Sequence, residues 1–327
     1  MKELIITNKI LKWYDIHKRT LPWRKKTSLN KKQYYTLVSE FMLQQTQVAT
    51  VIPYFNRFIK HIPNLEALAR YHDQKLIKLW EGLGYYSRVK NLKKTAQIVV
   101  KDFNKNLPDN ILDLKSLPGI GDYTASAIMA IAFNKPIIPL DGNIERVLKR
   151  YLYLKNENQI HKDYLIKQKK IFGTSLRSSD YAQALMELGA LICKPINPHC
   201  ERCPVSVKCK SFKKKDFVLT KFKKNNREKY YLLKVYKKNT KYLLVKNKNF
   251  NFLKNLDIFP MQEIIKPKNF DHNLNFKMSN MNMNIKIQTN KANKPLPFSY
   301  WIDPKKLKKY TLPTFTKKIV SYLENHS

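Results

Sequence analysis

The stretch Leu117–Ala127, LPGIGDYTASA, decides how the first two-thirds of this chain are read. Pro118-Gly119-Ile120-Gly121 reads as a tight turn joining a helix over DNILDLKS to a second helix that starts near Asp122. Glycine tolerates positive φ and leaves no side chain between the backbone N–H groups and a ligand. The helix N-terminus that follows adds the positive end of its dipole. Leu117, Gly119 and Gly121 are therefore candidates for holding a phosphate; a turn that merely packs two helices is the alternative. After the turn Ala125, Ile128, Met129 and Ala132 recur at three and four, the spacing of one helical face. Tyr123, just inside that helix, needs a separate explanation.

Helical spacing extends outward from this turn. In LEALARYHDQKLIKLW it is carried by Leu65, Leu68, Leu76, Leu79 and Trp80, and up to about residue 190 alternating runs are few. All seven glycines fall at or before Gly189. A length of 327 residues favours two domains, and a formal net charge of +39 points to a polyanionic partner, nucleic acid above all. Lysine outnumbers arginine by roughly five to one, and Asn and Ile abound, the bias of an A+T-rich genome. The sign of the charge is informative; its size is inflated. No apolar run reaches the ~18 residues of a membrane span, and the N-terminus lacks a signal-peptide pattern. A soluble, cytoplasmic protein, nucleoid-associated if bacterial, is expected.

All four cysteines, Cys193, Cys200, Cys203 and Cys209, fall within one short stretch with spacing C-x6-C-x2-C-x5-C. A disulfide framework would be dispersed. Four thiolates so close together can wrap either one [4Fe-4S] cube or one tetrahedral zinc, and the spacing does not choose. Lys194, Arg202, Lys208 and Lys210 are interleaved with them, which suggests a loop facing DNA.

Two carboxylates are placed for glycosidic chemistry. Glu40 lies three residues from both Leu37 and Leu43 on a largely apolar helical face, where burial raises a carboxyl pKa and suits a general acid. Asp141, before Gly142 and Asn143 in LDGNIERVL, sits where a helix should start, so free N–H groups and the dipole should keep it ionised; a simple helix cap would look the same. A protonated acid beside an ionised partner is the pair that breaks a glycosidic bond.

Together SEFMLQQTQVATVIPYF, LWEGLGYYSRVKNL, LPGIGDYTASAI, LDGNIERVL, ALMELGALIC and the cysteine spacing closely resemble the MutY-type adenine DNA glycosylases of the endonuclease III, helix-hairpin-helix superfamily, over roughly residues 5 to 210. The resemblance implies a mainly α DNA glycosylase in which a six-helix module (about 30–137) and an iron–sulfur module (the N-terminal segment with about 138–210) together form residues 1–210. It also implies a [4Fe-4S] cluster on the four cysteines and a double-stranded DNA partner carrying adenine opposite 8-oxoguanine or guanine. The adenine is excised after flipping from the stack. By the same resemblance Glu40 is the acid, Asp141 stabilises the sugar cation, and Tyr123 and Asn143 are their neighbours. Gln45 and Tyr85 enter the duplex beside the lesion, and Trp23, Arg24, Leu43 and Glu187 form the adenine pocket. In bifunctional relatives the position of Tyr123 carries a lysine that forms a Schiff base with the sugar; a phenol cannot, so a monofunctional enzyme is expected.

After Cys209 the composition changes. Residues 211–228 read as a basic linker, and residues 229–327 as a separate α+β domain. YYLLKVY and KYLLVKN flank KKNT as a β-hairpin, FKMSNMNMNIKI alternates with period two, and KKIVSYL suits a helix. The resemblance implies a Nudix-like domain that reads 8-oxoguanine, with Asn280, Met281 and Asn282 replacing the family's contact loop, and no acidic metal-binding helix for nucleotide hydrolysis. With no glycine here, the turns must be built from Asn and Lys. A monomer is expected. The alternatives are a thymine glycosylase acting on T:G mismatches, against which Glu40 and the C-terminal domain argue, and a catalytically drifted DNA-binding protein, against which the retention of both carboxylates argues.

Overall fold

The computed structural model describes residues 2–154, 175–218, 227–278, 280–290 and 296–326. The helical expectation over 155–174 and part of the basic linker lie outside them. The chain divides into two compact units, Met1–Tyr71 with Ser87–Lys221 and His72–Tyr86 with Phe222–Ser327.

Among the described residues of the first unit the helices longer than four residues are α1 (Lys2–His17), α2 (Leu29–Leu43), α3 (Val48–His61), α4 (Leu65–Arg70), then, after the excursion of 72–86 with its helix α5 (Asp73–Leu79), α6 (Ser87–Asp102), α7 (Ile111–Ser116), α8 (Asp122–Ile131), α9 (Gly142–Leu152) and α10 (Ser178–Glu187). The pattern read across Leu65–Trp80 is two helices, because Tyr71 and His72 both take extended backbone between α4 and α5. Asn64 starts α4 by accepting the N–H of Ala67 at 2.8 Å, and Asn110 starts α7 in the same way through Asp113. α1 turns Ile6, Ile10 and Tyr14, spaced by four, into a core with Tyr181, Leu185 and Leu188 of the α10 region and Ile144, Val147 and Leu148 of α9. Cys193, Cys203 and Cys209 pack at the edge of this core.

The glycine turn between α7 and α8 forms as expected. Gly119 sits at φ +82°, and a Cβ there would lie 2.9 Å from Phe41 Cε1 and 3.0 Å from Asn91 Cβ. Only glycine meets both the left-handed backbone and this close approach. Thr95 Oγ1 donates to the Pro118 carbonyl at 2.9 Å and holds the turn from α6.

The second unit contains a seven-stranded sheet. Its strands are β1 (Arg227–Lys238), β2 (Lys241–Lys246), β3 (Asp257–Ile258), β4 (Met261–Ile264), β5 (Leu274–Met278), β6 (Met281–Asn290) and β7 (Ser299–Ile302), followed by α11 (Thr314–Asn325). The path runs β3-β2-β1-β6-β5, with β4 on β1 and β7 on β2. β1 and β6 are parallel, and the other pairs are antiparallel. The expected β1–β2 hairpin is present, and its turn uses Asn239 at φ +53°. Asn255 takes φ +62°, yet Leu253 and Phe298 also adopt positive φ, so Asn and Lys do not build every turn. The alternating run over 276–287 is a hairpin rather than one strand, with Met278 opposite Met281. Phe315, Ile319 and Val320 of α11, spaced at four and one, join Tyr231, Leu233, Leu244, Phe259 and Ile285 in a core separate from that of the helical unit.

Candidate active site

The site is a cleft of about 920 Å³ within the helical unit. Its wall includes Glu40 and Leu43 from α2, Gln45 from the turn after it, Tyr123 from α8, Asp141 and Asn143 from the start of α9, Glu187 from the end of α10, and Trp23 and Arg24 from a short 3-10 turn, Pro22–Arg24. Nine residues singled out in the sequence thus share one cavity, although they range from Trp23 to Glu187 along the chain.

Glu40 is fully within α2, flanked by the buried Leu37, Phe41 and Met42, and is only 6% exposed. Burial pushes its carboxyl up to about 7, opposed by a hydrogen bond from the Tyr123 hydroxyl and reinforced by the negative charge of Asp141; Arg24 also lowers it. The same setting raises the Tyr123 phenol well above its ordinary value, first by burial and then through the two carboxylates. Tyr123 is therefore a neutral donor at physiological pH, aimed at the acid.

Asp141 caps α9. Its Oδ1 accepts the N–H of Asn143 at 3.0 Å and of Ile144 at 2.7 Å, while Oδ2 accepts Asn143 Nδ2 at 2.9 Å. The sequence expectation considered only the helix end, which favours the ionised form. In the folded chain burial acts more strongly and raises the Asp141 carboxyl above its ordinary value, with these three bonds and Arg146 opposing the rise. The two acids differ in how their charge is met: Asp141 has three donors, two of them backbone groups at a helix end, whereas Glu40 has one phenol.

At the other side Glu187 is wholly buried and pairs with Arg19 at 2.8 Å and Arg24 at 2.8 Å. Arg24 Nε is buried with no hydrogen-bond partner among the described residues. Trp23 stands edge-on to Phe55 at 5.3 Å, which fixes its plane.

Three residues that position this site are not legible as functional in the sequence. Arg88 of α6 is buried and its Nη1 reaches the carbonyls of Phe41 at 3.1 Å, Met42 at 2.8 Å and Gln44 at 2.6 Å. It meets the negative end of α2 and steadies the turn in which Gln45 takes φ +57°. Arg146 links α9 to the segment after α10: its Nη2 donates to Asn143 Oδ1 at 2.8 Å and to the Gly189 carbonyl at 2.6 Å, and its Nε donates to the Cys193 carbonyl at 2.7 Å. Gly189 lies in a π-helical turn, Leu188–Ile192, and a Cβ there would lie 2.6 Å from Asn143 Cβ and 2.9 Å from its backbone carbonyl carbon. Nothing in the sequence around Gly189 announces this close approach, which exists only once α9 is packed against it. Gly189→Ala should therefore cost about 1–3 kcal/mol through overpacking. It should also slow chemistry at the site by displacing Asn143; denaturant unfolding with a single-turnover assay checks both.

The other proposed residues lie elsewhere. Leu117 is 2% exposed, with its N–H bonded to the Leu114 carbonyl and its own carbonyl to the Ile120 N–H, so it supports the turn from within. Gly121 precedes α8 as its N-cap and has open space where a side chain would stand. Tyr85 belongs to the other unit, exposed and at φ +47°.

Cys193, Cys200, Cys203 and Cys209 line one pocket with Val147, Tyr151, Leu188, Ile192, Val205 and Phe212. Among the described residues no group of three or more His, Cys, Asp or Glu side chains is gathered closely enough to hold a metal ion. The donor chemistry nevertheless fits a cationic centre. Burial pushes the Cys200 thiol up to about 11 and the Cys203 thiol to about 12, with the neighbouring sulfurs adding to both, so thiolates here need a cation to offset them. Arg150, 3% exposed, places Nη1 3.5 Å from Cys193 Sγ and holds the loop through the Pro195 carbonyl at 2.7 Å.

Comparison with known proteins agrees with this architecture. Residues 38–169 match the HhH-GPD superfamily of base excision DNA repair proteins. The chain is 39% identical over 266 residues to the adenine DNA glycosylase of Buchnera aphidicola subsp. Baizongia pistaciae, covering 80% of this chain and 74% of that protein. It is 40% identical over 213 residues to human adenine DNA glycosylase, covering 62% of this chain and 38% of that one. Among solved structures it is similar to a thermostable thymine-DNA glycosylase, with TM-score 0.57 and 27% identity over 65% of this chain and 97% of the other. It also resembles endonuclease III trapped on DNA, with TM-score 0.54 and 20% identity over 66% of this chain and 98% of the other. The helical unit has the fold of the HhH-GPD base excision repair proteins. The chain belongs to the adenine DNA glycosylase family of that superfamily.

Proposed function

We propose that this protein is a monofunctional DNA glycosylase of base excision repair that hydrolyses the N-glycosidic bond of adenine mispaired with 8-oxoguanine or guanine. The observation that carries this reading is the pairing, in one cleft, of a buried Glu40 raised to about 7 with an Asp141 capped by three donors. The adenine leaves the stack and enters the cleft, where Glu40 gives its proton to the base. As the C1′–N9 bond breaks, its electron pair goes to the departing adenine and positive charge develops on the sugar, which the Asp141 carboxylate stabilises. Water then adds at C1′ and returns a proton to Glu40. Tyr123 and Asn143 hold the two carboxylates. Phosphates are held by the backbone of the turn Leu117–Gly121, and Gln45 and Tyr85 enter the duplex.

The four cysteines would hold a [4Fe-4S] cluster, which would tie their loop to the core beneath α9. The C-terminal sheet is assigned to recognition of the base opposite adenine in a Nudix-like manner. In its β5–β6 hairpin Asn282 and Asn284 already donate to Glu228, at 2.6 and 2.8 Å, so preference for 8-oxoguanine over guanine is expected to be weak. Affinity for duplex should fall steeply with salt as phosphate contacts release counterions.

The test uses purified protein and duplexes containing A:8-oxoguanine, A:G, A:C or T:G, with strand breaks scored before and after hot alkali. Adenine loss that appears only after alkali supports the reading. Thymine loss from T:G would transfer the assignment to the activity named for the thymine-DNA glycosylase it resembles, and binding without base loss would make the chain a DNA-binding protein. Tyr123→Lys should gain a borohydride-trappable crosslink to DNA, since an amine can form the imine a phenol cannot; absence of a crosslink removes Tyr123 from the sugar.

A further inference from the structure

The segment His72–Tyr86 interrupts the helical unit in sequence, yet it belongs to the compact unit of the C-terminal sheet. One carboxylate takes part in that attachment through three donors. Glu81, 12% exposed at its side chain, receives Lys78 Nζ at 2.7 Å and Lys317 Nζ, from α11, at 2.7 Å. Its Oε1 also accepts the backbone N–H of Leu312 at 3.0 Å. Lys78 Nζ in turn donates to the carbonyls of Lys308 and Tyr310, at 3.1 Å each, just where the 3-10 turn Pro304–Lys309 leaves its last acceptors open. Trp80, fully buried beside Glu81, donates through Nε1 to the Gly84 carbonyl at 3.2 Å.

The chain immediately after Glu81 is conformationally demanding. Gly82 stands at φ +104°, Gly84 at +71° and Tyr85 at +47°, three left-handed residues within four positions. For a tyrosine this backbone is unfavourable and persists only where the surroundings over-determine it. Tyr85 is nevertheless 45% exposed as a residue.

We propose that Glu81 is a positioning residue through which the C-terminal unit, by Leu312 and Lys317, holds the Gly82–Tyr85 turn in the conformation that presents Tyr85 to the duplex. The proposal rests on the assignment of Tyr85 to the duplex made above. It gives the C-terminal domain a part in extruding adenine, besides any part in reading the opposite base.

The experiment uses the full-length protein, a duplex with adenine opposite guanine, and 2-aminopurine beside the target adenine as a fluorescent report of unstacking. Glu81→Ala should reduce both the fluorescence rise on binding and the single-turnover rate of base loss by about tenfold, the scale of a displaced positioning element. Tyr85→Ala should do the same, and Glu81→Ala combined with Tyr85→Ala should be no worse than Tyr85→Ala alone, because both act through one ring. Lys317→Ala should shift both readouts in the same direction and carries the comparison if Glu81→Ala does not fold. A wild-type fluorescence rise in both anchor variants, or losses that multiply in the combined variants, overturns the proposal. If Tyr85→Ala alone changes neither readout, the assignment of Tyr85 fails first, and that outcome is distinguishable from the others.

Discussion

Asp141→Asn is expected to lower single-turnover adenine excision by about three orders of magnitude, on the scale of losing a dominant electrostatic contact to a transition-state charge, while duplex binding survives. The substitution preserves shape and leaves an oxygen to accept the N–H groups of Asn143 and Ile144, so the cap on α9 is retained. Two things are lost. The negative charge that would face the sugar cation disappears, and the amide nitrogen now meets Asn143 Nδ2, which donates to Oδ2 in the native pair, as donor against donor. Because Asn143 also receives Arg146 Nη2 through its Oδ1, it cannot turn its amide over without breaking that bond. Gel-shift binding at wild-type affinity together with base loss slowed by about three orders of magnitude is the expected result. Turnover within tenfold of wild type would remove Asp141 from the chemistry.

The second large effect concerns Glu40. If it delivers the proton, excision falls as pH rises through about 7, by about tenfold per pH unit well above the inflection. Glu40→Gln removes both the rate and this dependence. The substitution moves stability the other way. The folded state holds the Glu40 proton up to about 7, above the ordinary 4.5 of an unfolded chain, so between these values the native state binds more protons than the unfolded state. Stability is therefore lost as pH rises across that window and stays reduced above it. Glu40→Gln carries no charge to bury and should be more stable than wild type by about 2–3 kcal/mol at pH 8, with little difference at pH 4. Unfolding of both proteins at the two pH values, beside a pH–rate profile, tests the assignment: a profile flat from pH 6 to 9 would contradict it. An acid kept protonated by an apolar wall lowers stability near neutral pH in exchange for activity.

What the chain discloses before folding is local. Helical spacing at three and four marks the helices around Ala125–Ala132, and paired glycines mark the turn before Asp122. Asp141 before Gly142 marks a cap, and Glu40 among Leu37 and Leu43 marks a buried acid, because each depends on neighbours within one helical turn. The C-terminal hairpin was legible for the same reason. The break at Tyr71–His72 and the turn inside the alternating run over 276–287 were not, since no proline or glycine announces them.

By itself, then, the sequence determined the acids, the cap, the glycine turn and the clustered thiols. Packing brings Glu40, Tyr123, Asp141 and Glu187 into one cleft, and burial there raises Asp141 despite its donors. The folded chain alone revealed that Arg88 and Arg146 brace the walls and that residues 72–86 belong with the C-terminal sheet. The reason is physical: hydrogen-bonded turns and helical faces are set by residues a few positions apart, whereas desolvation, ion pairing and close backbone approach depend on groups that only packing brings together.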